Sequence, residues 1–282
     1  MRTRVIPAAV LGSSGRRQFH LAGVVAPAPR LAVVGSRAAH RCFRDAVEPI
    51  VHAAGRRGWS IVSGGALGID GDAHAAALEA GVPQLAVLPC GPDRPYPPRH
   101  EPLFERIASA PGSGVVFAHP PGTEPCRSMF ASRNATVVGL SMAVLVVEAA
   151  PRSGTMLTAT LARRSGRARA VVSGSAGAAI LAADGAHALA WNPQEPQRLV
   201  RRVDGWLAAV ERGDVAEPEP EPESESWPEH LAWLRESLST AGPAGLSLEQ
   251  LPSPREALVA LTEAQVLGLV VERASGRYVA AT

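Results

Sequence analysis

The sequence contains no lysine; all 28 of its basic residues are arginines. Every cation is therefore a planar, permanently charged fork, able to pair bidentately with phosphate or to stack on a base. Aromatic residues make up only 4% of the chain. A nucleic-acid surface built on rows of stacked rings is thereby excluded, and arginine stacking would have to replace it. The three cysteines, Cys42, Cys90 and Cys126, are odd in number and widely spaced. They fit neither a disulfide framework nor a zinc pattern, which leaves reduced thiols. Excess charge is lacking too: the net value is +2, from 28 basic and 26 acidic residues. Any phosphate site must then come from a local concentration of arginine. No apolar run approaches the length of a membrane span, and the stretch between Arg4 and Gly12 is too short for a secretory signal. The expectation is a cytoplasmic protein with no membrane partner.

What the chain does have is apolar material. With 282 residues, 46% of them hydrophobic, it can bury the core of one large α/β domain and a small second one. Residues 1–30 carry Gly, Pro and Ala without a sustained period and read as a lead-in segment. From Leu31 short apolar runs alternate with helix-like stretches, the pattern of βα units and a mostly parallel sheet flanked by helices. The runs are 31–34, 59–62, 84–88, 114–118, 143–147 and 170–172. Helices are expected over 41–54, 70–80, 103–108 and 155–164, with a last one through Leu199, Val203 and Leu207, so that the domain covers 31–212. Alternating Glu and Pro from Glu217 to Glu225 make 213–227 an extended linker. Over 228–282, helices near 230–238, 247–251 and 254–264 precede a hairpin of 267–272 and 277–279, a winged-helix arrangement.

Several small-residue loops follow the apolar runs. Gly35-Ser36-Arg37 ends the first, where glycine allows close backbone approach and free N–H groups can hold an anion. A strand-end turn explains the tripeptide equally well. Ser63, Gly64, Gly65 and Gly68 end the second run, at the sheet edge where such folds bind ligands. Asp70 follows as a helix cap, with His74 one turn on; too few further ligands accompany them for a metal site. Arg133 and Asn134 start a helix or turn and either bind phosphate or tie loops to the sheet edge. Ser153, Gly154 and Thr155 put small polar residues at a helix start, after Glu148 at a strand end. Glu148 is an acid–base candidate or a partner for Arg133 or Arg152. No dinucleotide or P-loop glycine pattern occurs, and no serine or cysteine triad spacing is evident. No cofactor is expected.

The order of these motifs is more specific than any one of them. Val34 to Arg37, Ser63-Gly64, Gly68 to Asp70 with Ala73-His74, and Ala86 to Gly91 resemble the signature of the DNA-processing protein A (DprA/Smf) family. So do Tyr96-Pro97, Pro120 to Thr123, Arg133-Asn134, Gly139 to Ser141, Val146 to Ala149, Arg152 to Thr155 and Leu157 to Ala159. The resemblance implies an extended Rossmann-like domain that binds single-stranded DNA at the sheet edge and has no catalytic residues. It also implies a homodimer that protects incoming strands in natural transformation and assists a RecA-type recombinase. Two departures remove cations: Leu67 and Ala135 stand where the family usually carries basic residues. Binding is then expected to be weaker and less salt-sensitive than is usual for the family. The alternative is a nucleotide sensor, or a hydrolase releasing a base from a nucleoside monophosphate, with Glu148 and Asp70 as acid–base groups.

Overall fold

The computed structural model describes residues 1–11, 18–215 and 231–253, and beyond these 256–258, 260, 261, 264, 269–272 and 277–280. Nine strands form one sheet: β1 (Arg4–Pro7), β2 (Gln18–Gly23), β3 (Arg30–Val34), β4 (Ser60–Ser63), β5 (Gln84–Leu88), β6 (Gly114–Phe117), β7 (Ala143–Val146), β8 (Ala168–Val172) and β9 (His187–Leu189). Their order is β1-β2-β6-β5-β4-β3-β7-β8-β9. All neighbours from β6 to β9 are parallel, whereas β1 and β2 run antiparallel at one edge. The six expected runs are all strands, with ends shifted by one or two residues. The two strands before Leu31 were not anticipated. Their signal is short: in β2, buried Phe19 and Leu21 alternate with exposed Gln18 and half-buried His20, over too few residues to stand out among Gly and Pro.

The strands read as apolar runs because both faces are covered. Leu31, Val33, Ile61 and Leu145 point to one face, packed by α2 (Val47–Arg56), α3 (Ile69–Glu79) and α8 (Pro196–Arg212). Ala32, Val34, Val62 and Val144 point to the other, packed by α5 (Arg127–Gly139), α6 (Gly154–Arg164) and α7 (Ala176–Ala183). Helix α4 (Glu101–Ser109) covers β5 and β6 through Phe104 and Ile107. The result is three layers with a period of two along each strand. The helix expected over 41–54 is broken into α1 (Arg41–Arg44) and α2. Pro49 accounts for the break, because it has no N–H to donate to the Asp45 carbonyl.

Chain direction across the sheet places the ligand crevice. From β3 the chain builds outward through β4, β5 and β6, then returns to add β7 on the other side of β3. The loops after β3 and β7 therefore diverge at their carboxyl ends, where an open parallel sheet leaves a crevice.

After the main sheet, α9 (Ala232–Ala241) and an antiparallel pair, β10 (Val270–Glu272) and β11 (Tyr278–Ala280), share a small core of Leu234, Leu238, Leu261 and Tyr278. The Glu/Pro stretch 217–225 lies outside the described residues, as do parts of the expected helix 254–264 and the Ser275-Gly276 turn.

Candidate nucleic-acid interface

A cavity of about 420 Å³ opens at this crevice between β3 and β7. It is lined by Gly35, Ser36 and Arg37 after β3, Gly64 and Ala66 after β4, one face of α5, and the start of α6. Nine of the twelve site residues expected from sequence meet here: Gly35, Ser36, Arg37, Gly64, Arg133, Asn134, Ser153, Gly154 and Thr155. The other three lie behind the wall. Ser63 is fully buried and donates to the Val33 carbonyl at 2.7 Å, tying β4 to β3. Gly65 has φ +67° and faces Leu88 and Phe104 in the core. Gly68 has φ +79°, and a Cβ there would stand 2.4 Å from the Ser36 carbonyl oxygen. Its role is to let the two loops touch.

The loop after β3 is held from both sides. Ser36 N–H donates to the Glu148 carbonyl at 3.0 Å, and Ile69 N–H to the Ser36 carbonyl at 3.2 Å. Ser36 Oγ accepts from Ala38 N at 3.2 Å, closing its own turn. Arg37 is exposed, with its guanidinium carbon 5.1 Å from the centre of the Phe130 ring, within cation–π range. Tyr96 meets the same ring edge-on, at 5.4 Å between centroids. On the far wall Ser153 caps α6, its Oγ accepting from Met156 N at 3.4 Å. Gly154 and Thr155, in the first turn of that eleven-residue helix, line the cavity, and a helix start favours an anion.

Beneath these loops lies a buried ion pair. Arg133 Nη1 is 3.6 Å from Asp70 Oδ2, with side chains 5% and 9% exposed. Asp70 does not cap its helix; Gly68 holds the cap position. Its carboxylate turns back to accept the Ala66 backbone N–H at 3.4 Å and feels the backbone N–H groups of Gly35 and Gly64, so it sits at the ends of β3 and β4. Burial outweighs this pairing and pushes the Asp70 carboxyl above its ordinary value and the Arg133 guanidinium below. Arg133 Nε is buried with no hydrogen-bond partner among the described residues. Arg133 and Asn134 do not begin a helix: α5 starts at Arg127, and Phe130, Arg133, Asn134 and Val137 form its cavity face at intervals of three, one and three.

The remaining acid–base candidates stand apart. Glu148 is not among the cavity-lining residues; its Oε2 accepts His40 N–H at 3.1 Å. Its expected partner Arg133 is taken by Asp70. His74 is fully buried, Nδ1 lying 2.6 Å from Gln84 Oε1, and burial lowers its pKa to about 4. Among the described residues no three His, Cys, Asp or Glu side chains are grouped to hold a metal ion. Sequence reasoning gave no role to Phe130 or Tyr96, although Tyr96-Pro97 stands among the motifs of the resemblance. The spacing of Phe130 to Arg133 was the available signal.

Residues 21–198 match the family model described as DNA recombination-mediator protein A. The chain belongs to that family. It is 45% identical over 149 residues to a DNA processing protein DprA of Mycobacterium tuberculosis, covering 52% of this chain and 38% of that one. It is 32% identical over 250 residues to protein Smf of Escherichia coli, covering 86% and 65%. The chain thus spans less than two thirds of the length of these relatives. DNA processing protein A of Streptococcus pneumoniae superposes with a TM-score of 0.61 at 29% identity, over 67% of this chain and 71% of that one. The Helicobacter pylori protein, whose structure was reported for its single-stranded DNA binding mode, gives 0.63 at 24% identity over 74% and 97%. These matches bear out the resemblance and the Rossmann-like fold read from sequence. Among the described residues no helix is long and apolar enough to cross a membrane.

Proposed function

We propose that this family member binds single-stranded DNA, with a backbone phosphate in the cavity between β3 and β7. The observation that carries the reading is convergence. An exposed arginine stacked on an aromatic ring faces a helix start and the Gly35-Ser36 loop around one cavity. Charge and ring match the two halves of a nucleotide. Support comes from the H. pylori relative's single-stranded DNA binding mode on the same fold.

Of the two arginines in the cavity wall, Arg133 is committed to Asp70, so Arg37 supplies the exposed charge. Together with Leu67 and Ala135 this supports modest affinity with a shallow salt dependence. A fluorescence-anisotropy titration with a labelled oligothymidylate at two salt concentrations tests the reading. Binding is expected at low salt, and none there rejects it.

We extend the reading to the role that the family resemblance implies: protection of incoming strands in natural transformation, loading of a RecA-type recombinase, and action as a homodimer in the cytoplasm. Helix α9 and the β10–β11 pair support a winged-helix tail. A non-catalytic role is supported by Asp70 being bound up with Arg133 and by Glu148 lying outside the cavity lining.

A further inference from the structure

Beside the main cavity lies a second, smaller one of about 40 Å³. The two share Arg37, Gly64, Ala66, Phe130 and Arg133, so they adjoin along the Arg37–Phe130 ridge. The walls unique to the smaller one are apolar: Leu67, Pro89, Tyr96 and Pro97. Leu67 and Tyr96 are 40% and 38% exposed, two of the seven large hydrophobic side chains exposed among the described residues. Both border one slot next to the Arg37–Phe130 ridge. Exposed apolar side chains gathered beside a polar ligand site mark a binding surface.

We propose that this slot is a nucleobase subsite, taking the edge of the base that adjoins the phosphate in the main cavity. The inference rests on the single-strand reading and extends it to a second contact. The occupant is argued from continuity and shape. A strand whose phosphate meets Arg37 has its neighbouring base within reach of Tyr96, because Tyr96 packs against the same Phe130 ring that Arg37 covers. A slot of this volume admits the edge of a flat ring but not a folded peptide side-chain cluster, and aliphatic and aromatic walls accept any base. Leu67 gives the slot an apolar wall, so base contact beside the Arg37 charge is what this chain offers the strand.

The test compares an oligothymidylate with a length-matched abasic phosphodiester strand, titrated against the full chain at low salt. The wild type is expected to prefer the strand with bases. Tyr96→Ala lowers the ratio of the two affinities about ten-fold, Leu67→Ala lowers it less, and Tyr96→Phe, which keeps the ring, restores it. An unaltered ratio in Tyr96→Ala overturns the subsite while leaving phosphate binding intact. Equal weakening of both strands also overturns it, since Tyr96 would then act only on the shape of the loop. If the folded wild type binds neither strand, the single-strand reading fails and the subsite with it.

Discussion

The Arg133 guanidinium rests against the α-carbon of Gly64: a Cβ at Gly64 would fall 1.1 Å from Nη1 and 2.7 Å from Asp70 Oδ2. Glycine is required there by the charge beneath it, and φ at Gly64 is not positive. Gly64→Ala is therefore expected to expel the guanidinium and strand a buried carboxylate. The cost is about 3 kcal/mol, read as a lowered Tm. Gly205→Ala, on α8 with nothing within 4 Å of a new Cβ, is the contrast. It should stabilise by about 1 kcal/mol through helix propensity.

The pair itself is open to a double-mutant cycle. Arg133→Met alone leaves Asp70 unpaired and is expected to destabilise by about 3–5 kcal/mol. Asp70→Asn alone does the same for the guanidinium. The double variant should cost markedly less than the sum, measured by urea unfolding. Additive losses would mean that the two groups do not act as a pair.

Much of this was legible in the sequence, and the reason is physical. A parallel strand covered on both faces is a bare apolar run, so 84–88 and 143–147 announced themselves. The rim loops were legible because small residues cluster where backbones must approach closely. The pairing of Asp70 with Arg133 was not, since 63 positions separate them in the chain and only the return of the chain from α5 to β7 brings α5 over the end of β4. For the same reason Arg133 read as either a phosphate ligand or a tie between loops, with Glu148 and not Asp70 as its possible partner. Tyr96 gained its meaning only from Phe130, which lies beyond α4 and β6 in the chain.

His74 gives a pH signature. Its pKa falls to about 4 in the fold because burial penalises the charged ring, against about 6.5 when unfolded. Between these values the unfolded chain binds the extra proton, so stability rises with pH. It is complete above about pH 6.5 and lost as pH falls towards 4, by about 3 kcal/mol in all. Urea midpoints across that range should show the slope, and His74→Gln should flatten it.

Thiol reactivity should differ by site. Cys126 is exposed, whereas burial pushes the Cys90 thiol up to about 11. Mass spectrometry after brief alkylation of the native protein is expected to find Cys126 modified and Cys90 intact. Early modification of Cys90 would show that the sheet end opens readily.

At the sheet-end cavity the exposed cation is Arg37. Measuring single-strand affinity against salt for the wild type and for Arg37→Ala, with oligomeric state monitored, tests its part in binding most directly. The variant should bind more weakly, with the slope of log K against log salt reduced by about 0.7, the share of one phosphate contact, and with assembly unaltered. Equal affinities and parallel slopes would place the strand elsewhere on the molecule.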